Sequence, residues 1–348
     1  MSRCIQLAKN GLGSTYPNPM VGAVIVYNDI IIGEGWHKKA GEPHAEVNAI
    51  NSVKNKNLLK RATIYVSLEP CSHFGKTPPC TNLIMESGIR KVVIGSLDPN
   101  PKVAGRGIKR LQEAGCEIVL GILEDECYEL NKRFFTFHIK KRPYIFLKWA
   151  QTANGFVAPL PASRKDTRPI WITNPYSRQL VHKMRSREMS ILVGTKTVLA
   201  DNPNLTVRDW WGKNPVRLVI DRQTKLDPHL AIFDESATTM VFTEKKVFPQ
   251  DFKKENSFFK IDFTADIVGQ ICEILFKNNI QSLIVEGGPK TIQSFVDSGL
   301  WDEAWVFIGA NSFDEGIRAP KFRGSLISEK PVGSDSFLIY KASAERTE

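Results

Sequence analysis

His44-Ala45-Glu46, followed by Pro70-Cys71 and then by Cys80, decides how this 348-residue chain is read. The stretch offers one imidazole, two thiols and one carboxylate. Zn²⁺ takes Cys sulfur and His nitrogen in tetrahedral geometry, and a catalytic site leaves its fourth position to water. The pKa of that water falls toward ~7, so hydroxide is available at neutral pH. His44, Cys71 and Cys80 are therefore the expected metal ligands. Glu46 follows the histidine by two residues, and on a helix that offset points to a different face. It can reach the water without binding the metal and can carry a proton to a leaving amine.

H-x-E with a later P-C-x-x-C is the signature of zinc nucleobase deaminases. This chain departs from it by placing eight residues, 72–79, between the two cysteines. The longer insert carries His73 and Lys76, an imidazole and a cation that a loop can hold over a substrate. The competing reading is an unrelated pair of core cysteines, because buried free cysteines are common. The upstream His44-Ala45-Glu46, the Pro70 before Cys71 and the strand-like run 62–68 weigh against it.

Apolar content of 42% and charged content of 24% are those of an ordinary globular chain, and the length suits two domains. No stretch approaches the ~20 apolar residues of a membrane span. The amino terminus reads as a short amphipathic helix without a signal-peptide apolar run. A cytoplasmic protein with no membrane partner is expected. Six irregularly placed cysteines suit a reduced compartment, where cysteine spacing points to metal or catalysis. Cys4, Cys116, Cys127 and Cys272 carry no motif and read as structural.

The net charge of +10 raises the question of a nucleic-acid partner. Residues 1–142 carry 20 Lys/Arg against 13 Asp/Glu, and the remainder 27 against 24. No basic stripe interleaved with aromatics appears. A small phosphorylated substrate accounts for the excess about as well, and charge alone does not separate the two.

Residues 1–142 read as alternating elements: a helix over 2–10 stopped by Gly11, strands over 21–27 and 30–36 joined by Asn28-Asp29, a helix over 44–53 and a strand over 62–68. A helix opening at Cys80, a strand over 91–95, a helix over 107–114 and a strand over 116–121 complete a mixed sheet with helices on its faces. His44 and Glu46 open one helix and Cys80 the next, where the helix dipole favours thiolate. The charge run and proline at 138–143 suit a linker. A second alternating series then covers 143–348, with strands over 144–150, 189–194, 215–221, 238–243 and 281–286 and a helix over 175–187.

In that second series Glu286-Gly287-Gly288-Pro289-Lys290-Thr291 is a strand end passing through a glycine turn into a helix. Such a turn lets backbone N–H groups approach a phosphate, and Pro289 suits a first helical turn. It is also an ordinary helix cap, and it is not G-x-G-x-x-G. Lys148 lies inside an apolar strand and needs a partner. The span 197–208 packs charges and turn formers together, either as a solvated capped turn or as a loop that grips phosphate and ribose.

Taken together these stretches resemble the bifunctional riboflavin-biosynthesis deaminase/reductases. The likeness rests on Thr15-Tyr16-Pro17-Asn18-Pro19-Met20-Val21-Gly22-Ala23, Gly35-Trp36-His37, Gly41-Glu42-Pro43-His44-Ala45-Glu46, the segment from Glu69 to Cys80, and the segment from Asp98 to Gly105. In the second half it rests on Trp171-Ile172-Thr173, the span 194–208 and Glu286-Gly287-Gly288-Pro289. The resemblance implies an α/β architecture, a cytidine-deaminase-like domain over 1–142 followed by a dihydrofolate-reductase-like domain over 143–348. It implies zinc-dependent hydrolytic deamination of 2,5-diamino-6-(5-phosphoribosylamino)pyrimidin-4-one, then NADPH-dependent reduction of the ribosyl group to ribityl.

By the same resemblance Asn18, His37, His73, Lys76, Asp98 and Asn100 bind the first substrate. Lys148, Arg185, Leu205, Arg208 and Glu286 handle the second. Gln151, Trp171, Thr197, Asp201, Gly288, Pro289, Lys290 and Thr291 hold NADPH. Phosphorylated pyrimidines are the expected partners, with no nucleic acid, and a homo-oligomer is expected. Three places depart from the family: Asn154-Gly155 stands where the family usually has Asp-Gly, Pro169 sits near a position where relatives often carry a small hydroxylated residue, and 309–321 is irregular. Two rivals remain at this level, a nucleic-acid deaminase that exploits the charge and a structural zinc module on an inactive reductase-like scaffold.

Overall fold

Asn28 and Asp29 turn the chain between strands β1 (Gly22–Tyr27) and β2 (Ile30–Trp36), with Tyr27 opposite Ile30. Both turn residues adopt positive φ, 46° and 60°. That is the two-residue hairpin whose twist matches its strands, and Asn and Asp tolerate it best after glycine. The structure, a computed structural model, describes residues 1–72, 74, 78–100, 104–160, 170–245 and 256–343. The chain divides into two units, Met1–Lys141 and Arg142–Glu348.

In the first unit helix α1 (Ser2–Ala8) ends two residues earlier than the sequence suggests, and a tighter turn carries the chain to Gly11. Helix α2 (Ala45–Ser52) packs on the hairpin, and β3 (Thr63–Leu68), α3 (Cys80–Glu86), β4 (Lys91–Ser96), α4 (Arg106–Glu113) and β5 (Glu117–Leu120) follow. The five strands order as β2-β1-β3-β4-β5, antiparallel across the hairpin and β3, parallel from β3 to β5. Ile25, Ile64, Val66, Ile94, Ala49 and Ile50 form the core between sheet and helices. Two further helices, α5 (Glu124–Leu130) and α6 (Lys132–Lys140), were not expected from the sequence. Asn131 between them donates to the Met20 carbonyl and accepts from its amide, each at 2.8 Å, and so pins the segment that carries Asn18.

The second unit builds a sheet ordered β11-β10-β9-β8-β12-β6-β13-β16-β15. Its strands are β6 (Tyr144–Gln151), β8 (Ser190–Gly194), β9 (Val216–Ile220), β10 (Thr239–Thr243), β11 (Asn256–Lys260), β12 (Ser282–Val285) and β13 (Glu303–Ile308), all parallel. Strands β15 (Gly324–Val332) and β16 (Asp335–Ala342) close one side antiparallel. The short β7 (Phe156–Ala158) pairs with β14 (Ile317–Arg318), which places strand inside the stretch 309–321. Helices α7 (Pro175–Arg185), α8 (Thr195–Asp201), α9 (Ile267–Lys277) and α10 (Pro289–Asp297) complete the unit. Residues 195–201 are thus helical, where the sequence reads as a turn. Both faces of the parallel strands are covered, with Leu147, Leu192 and Leu283 in one cluster and Phe146, Ile191 and Ile284 in the other. Among the described residues no helix is long and apolar enough to cross a membrane.

Asn154 explains one departure. Its Nδ2 donates to the Phe313 carbonyl at 2.6 Å while its Oδ1 accepts from Thr152 Oγ1 at 2.7 Å. An aspartate could not make the first bond. Pro169 lies outside the described residues.

Arg217 on β9 is fully buried, and its guanidinium is saturated by the Ala231, Asp234 and Ala237 carbonyls, the Asp234 carboxylate and Thr239 Oγ1. It also reaches the Asn204 carbonyl at 3.5 Å. Removing one member of such a cluster leaves buried acceptors without donors. Arg217→Met should destabilise the fold by roughly 3 kcal/mol, read as a lowered denaturation midpoint by circular dichroism; an unchanged midpoint would contradict it.

Candidate active sites

His44 is the N-cap of α2, with φ −71° and ψ 168°, so its imidazole leaves the helix start instead of joining its face. Cys71 follows the end of β3, and Cys80 is the first residue of α3. His44 Nδ1 lies 3.6 Å from Cys71 Sγ and 3.3 Å from Cys80 Sγ, and the three donor atoms all fall within 4.8 Å of one another. A tetrahedral zinc with the usual Zn–S and Zn–N lengths separates sulfur and nitrogen ligands by about 3.6 Å. The donor set therefore fits Zn²⁺ in both chemistry and spacing.

Cys71 is drawn down to about 4 by hydrogen bonding from the Cys80 thiol, with His44 and the Cys80 amide adding to it against the opposing effect of burial. That amide donates to Cys71 Sγ at 3.3 Å. The Cys80 thiol moves up, because Cys71 and Glu46 take its proton as a hydrogen bond and it is buried. Glu46, 3% exposed, is pushed up to about 7 by burial and by the charge on Cys71. A carboxyl balanced there exchanges protons readily at neutral pH.

His37 stands edge-on to His44 with ring centroids 5.3 Å apart. Its Nδ1 faces the Pro43 carbonyl at 3.2 Å and its Nε2 the Asn18 amide nitrogen at 3.1 Å. A carbonyl only accepts, so Nδ1 carries the proton and Nε2 accepts from Asn18. Burial lowers the His37 pKa and keeps the ring neutral. This fixes Asn18 with its carbonyl oxygen free to turn toward a ligand. Asp98 is buried after β4 and accepts from the Asn100 amide at 2.8 Å. His73 and Lys76 lie outside the described residues.

Glu69 escaped the sequence reading as a working residue. Its carboxylate, 4% exposed, accepts from the Gly107 amide at 2.9 Å, the Gly105 amide at 3.0 Å and the Asp98 amide at 3.4 Å. It ties the segment of Cys71 to the turn of Asp98 and to the start of α4. Its place in the run Glu69-Pro70-Cys71 was the only signal.

In the second unit a cavity of about 1170 Å³ opens at the carboxyl ends of β6, β8, β9 and β12. Open α/β sheets bind ligands at that edge. Lys148 Nζ donates to Glu286 Oε1 at 2.8 Å, and Arg185 grips Glu286 Oε2 through Nη2 at 2.6 Å and Nε at 3.2 Å. Burial alone would raise the Glu286 carboxyl, but Arg185 and Lys148 outweigh it and hold it near 2. The lysine inside the apolar strand thus has its partner. Arg208, Trp171, Thr197, Asp201, Gly288, Pro289, Lys290 and Thr291 line the same cavity. Leu205 packs in the core at φ 56°, and Gln151 accepts from Trp149 Nε1 at 2.8 Å; neither is among the lining residues. His182, Lys196 and Arg222 line it without having been singled out in the sequence.

Two glycines make room there. A Cβ on Gly287 would come 2.5 Å from Val193 Cβ, and Gly288 takes φ 62° and ψ 130°, which side-chain-bearing residues avoid. Helix α10 starts beyond them with no side-chain cap, so its first amides remain available to an anion. Volume, glycine turn and helix start together suit a nicotinamide dinucleotide.

The two sites and folds define a zinc-dependent deaminase unit joined to a nucleotide-dependent reductase unit. Residues 1–96 match the cytidine and deoxycytidylate deaminase zinc-binding region, and residues 143–312 match the RibD C-terminal domain. The chain is 43% identical over 319 residues to the riboflavin biosynthesis protein RibD of Aquifex aeolicus, covering 91% of this chain and 88% of that one. It is 36% identical over 346 residues to the Escherichia coli protein of that name, covering 93% and 88%. A crystal structure of a diaminohydroxyphosphoribosylaminopyrimidine deaminase/5-amino-6-(5-phosphoribosylamino)uracil reductase from Thermotoga maritima superposes with TM-score 0.88 at 38% identity, covering 99% and 97%. Acinetobacter baumannii RibD gives TM-score 0.89 at 32% identity, covering 99% and 98%. The chain belongs to the RibD family. It is a bifunctional deaminase/reductase of riboflavin biosynthesis with a zinc-binding deaminase domain and an NADPH-using reductase domain.

The purified chain should carry one zinc per molecule, and Cys71→Ser should carry little. Full zinc retention in that variant, or a cobalt-exchanged protein without thiolate charge-transfer bands, would overturn the ligand set.

Proposed function

We propose that residues 1–142 deaminate 2,5-diamino-6-(5-phosphoribosylamino)pyrimidin-4-one and that residues 143–348 then reduce the ribosyl group of the product to ribityl. The observation that carries the first half is a buried carboxyl, Glu46, set beside the His44, Cys71 and Cys80 donors without being one of them. A structural zinc module would fill its fourth position from the protein, and among the described residues that cluster offers three ligands. When bound, zinc supplies a Lewis acid and lowers the pKa of water. Glu46 takes the proton released as the water attacks the amino-bearing ring carbon, then returns it to the departing amine. Asn18, with its amide oriented by His37, holds the ring, and Asp98 and Asn100 complete that side. His73 and Lys76 are assigned to the substrate by family likeness.

For the second half, the α10 start, Thr197, Asp201 and Trp171 would hold NADPH, which would supply a hydride. Reduction at C1′ would require the sugar ring to open to its imine, the carbon taking the hydride and the nitrogen a proton from solvent. Lys148, inside β6, and Glu286, just past the end of β12, meet and hold the opened sugar, and Arg185 fixes Glu286. Arg208 is a cation suited to the phosphate. The net charge of +10 then reads as attraction for phosphorylated small molecules and not for a nucleic acid. All six cysteines are free, as expected of a cytoplasmic enzyme.

Glu46→Gln should keep zinc and lose deamination by at least ~10²-fold, the scale of a general acid–base residue. It should still reduce an already deaminated substrate. Near-parental deamination would remove Glu46 from the chemistry.

Lys148→Ala should reverse that pattern, with reduction strongly lowered and deamination intact. Both half-reactions are read by mass spectrometry under anaerobic conditions, with and without NADPH. Unchanged reduction would leave Lys148 as a strand residue only, and equal loss of both activities would indicate misfolding.

A further inference from the structure

The loop 202–208 runs from α8 past the reductase cavity without regular secondary structure. Side chains from below and beside it set its course. Arg217 reaches the Asn204 carbonyl at 3.5 Å, Arg185 donates to the Thr206 carbonyl at 3.3 Å, and His182 receives the Arg208 amide on Nδ1 at 3.2 Å. His182 and Arg185 stand one turn apart on α7, so a single helix face holds both Glu286 and the loop. His182 is 5% exposed and itself lines the cavity. A backbone N–H can only donate, so Nδ1 presents its lone pair and a neutral ring carries its proton on Nε2. Nε2 faces Asp209 Oδ2 at 3.5 Å.

We propose that His182 is a positioning residue of the reductase site: by holding the Arg208 amide it sets where the Arg208 guanidinium stands over the cavity, and so how tightly the phosphorylated sugar binds. The proposal rests on the reading that this cavity takes the phosphorylated ribosyl substrate. It carries a pH dependence. Protonation of Nδ1 removes the acceptor that holds the loop. The charged groups facing the ring are Arg185 on its own helix, Arg208 and Asp209 from the loop, and Glu286 from the end of β12. Burial lowers the His182 pKa first, Arg185 and Arg208 lower it further, and Asp209 and Glu286 oppose them. An unfolded histidine titrates near ~6.5. The folded value lies below that, so the neutral ring and its contact are intact above about pH 6.5 and are lost as pH falls through the folded value.

Two variants of the full-length protein test this with the deaminated substrate, following NADPH consumption. His182→Ala removes the acceptor. His182→Asn keeps one, because its Oδ1 occupies nearly the position of Nδ1 and does not titrate. His182→Ala should raise KM for the phosphorylated substrate about tenfold, the scale of one lost hydrogen bond, while kcat and the KM for NADPH change little. His182→Asn should retain most of the parental KM at about pH 8. It should also lack the additional rise in KM that the parent shows as pH falls below about 6.5 and through the folded value of His182. The substrate phosphate titrates equally in all three proteins, so the comparison at each pH removes its effect. A parental KM in His182→Ala, or an acid rise in His182→Asn equal to the parent's, would overturn the proposal. If His182→Ala fails to fold, the pH profile of His182→Asn still decides. Lys148→Ala measured alongside separates the two levels: loss of reduction there with unaffected His182 variants ends this proposal alone, whereas unchanged reduction there brings down the reading of the cavity as well.

Discussion

Glu69 leaves β3 with its carboxylate almost wholly buried, and among the described residues it accepts from the backbone amides of Asp98, Gly105, Gly107 and Ile108. An ionised group in such a place is tolerable only if hydrogen-bonded from several sides. The donors it recruits belong to the turn after β4 and to the start of α4, whose dipole adds to the stabilisation. Two residues on, the same segment delivers Cys71. The position of one metal ligand is therefore coupled to the turn that holds Asp98 through a single buried charge. Gly107 shows how tight the coupling is, since a Cβ there would stand 2.2 Å from the Pro70 carbonyl oxygen.

The second unit solves the same problem with opposite chemistry. Glu286 is again the first residue past a central parallel strand, and its side chain is only 9% exposed. Its charge is met by two cations, Lys148 from the neighbouring strand and Arg185 from α7. Amides would have produced a rigid turn. Cations produce a polar floor on the cavity instead, with Lys148 Nζ donating to Glu286 Oε1 at 2.8 Å. In both units the carboxyl end of a parallel strand is where buried apolar sequence gives way to charge, and each unit places its chemistry there.

What could be read from the sequence was whatever chemistry lies close together along it. The candidate metal donors His44, Cys71 and Cys80, the neighbouring Glu46 and the glycine turn at 287–288 are local patterns with a physical meaning of their own. The strands rich in Val and Ile were equally legible, and the Asn28-Asp29 turn fixed their pairing. The helix 195–201 was missed because its threonines and its terminal Asp-Asn look like a turn. Helices α5 and α6 were missed because their stabilising contacts, such as Asn131 with Met20, join positions 111 residues apart. Glu69 and His182 fail the same way. Their roles exist only once Gly107 and Arg208 have been brought to them, 38 and 26 residues along the chain. The family likeness named Lys148, Arg185, Arg208 and Glu286 together; the structure joins Lys148, Arg185 and Glu286 by ion pairs and holds the Arg208 loop from α7.

The cysteines show that residue type alone would have been a poor guide. Cys4, Cys127 and Cys272 are pushed up to about 12, 11 and 12, in each case mainly by burial among apolar neighbours. Such thiols keep their protons and serve as small hydrophobic side chains. Cys71 is partly buried, yet it is drawn the other way. The difference is local geometry: a thiol, an imidazole and a helix-start amide all point at one sulfur. A soft divalent cation placed among these groups would replace the Cys80 proton and leave both sulfurs anionic. That requirement selects Cys71 and Cys80 from six chemically identical side chains, and it does so through the backbone that β3 and α3 impose, so the sheet order is as much a part of the metal site as the sulfur atoms are.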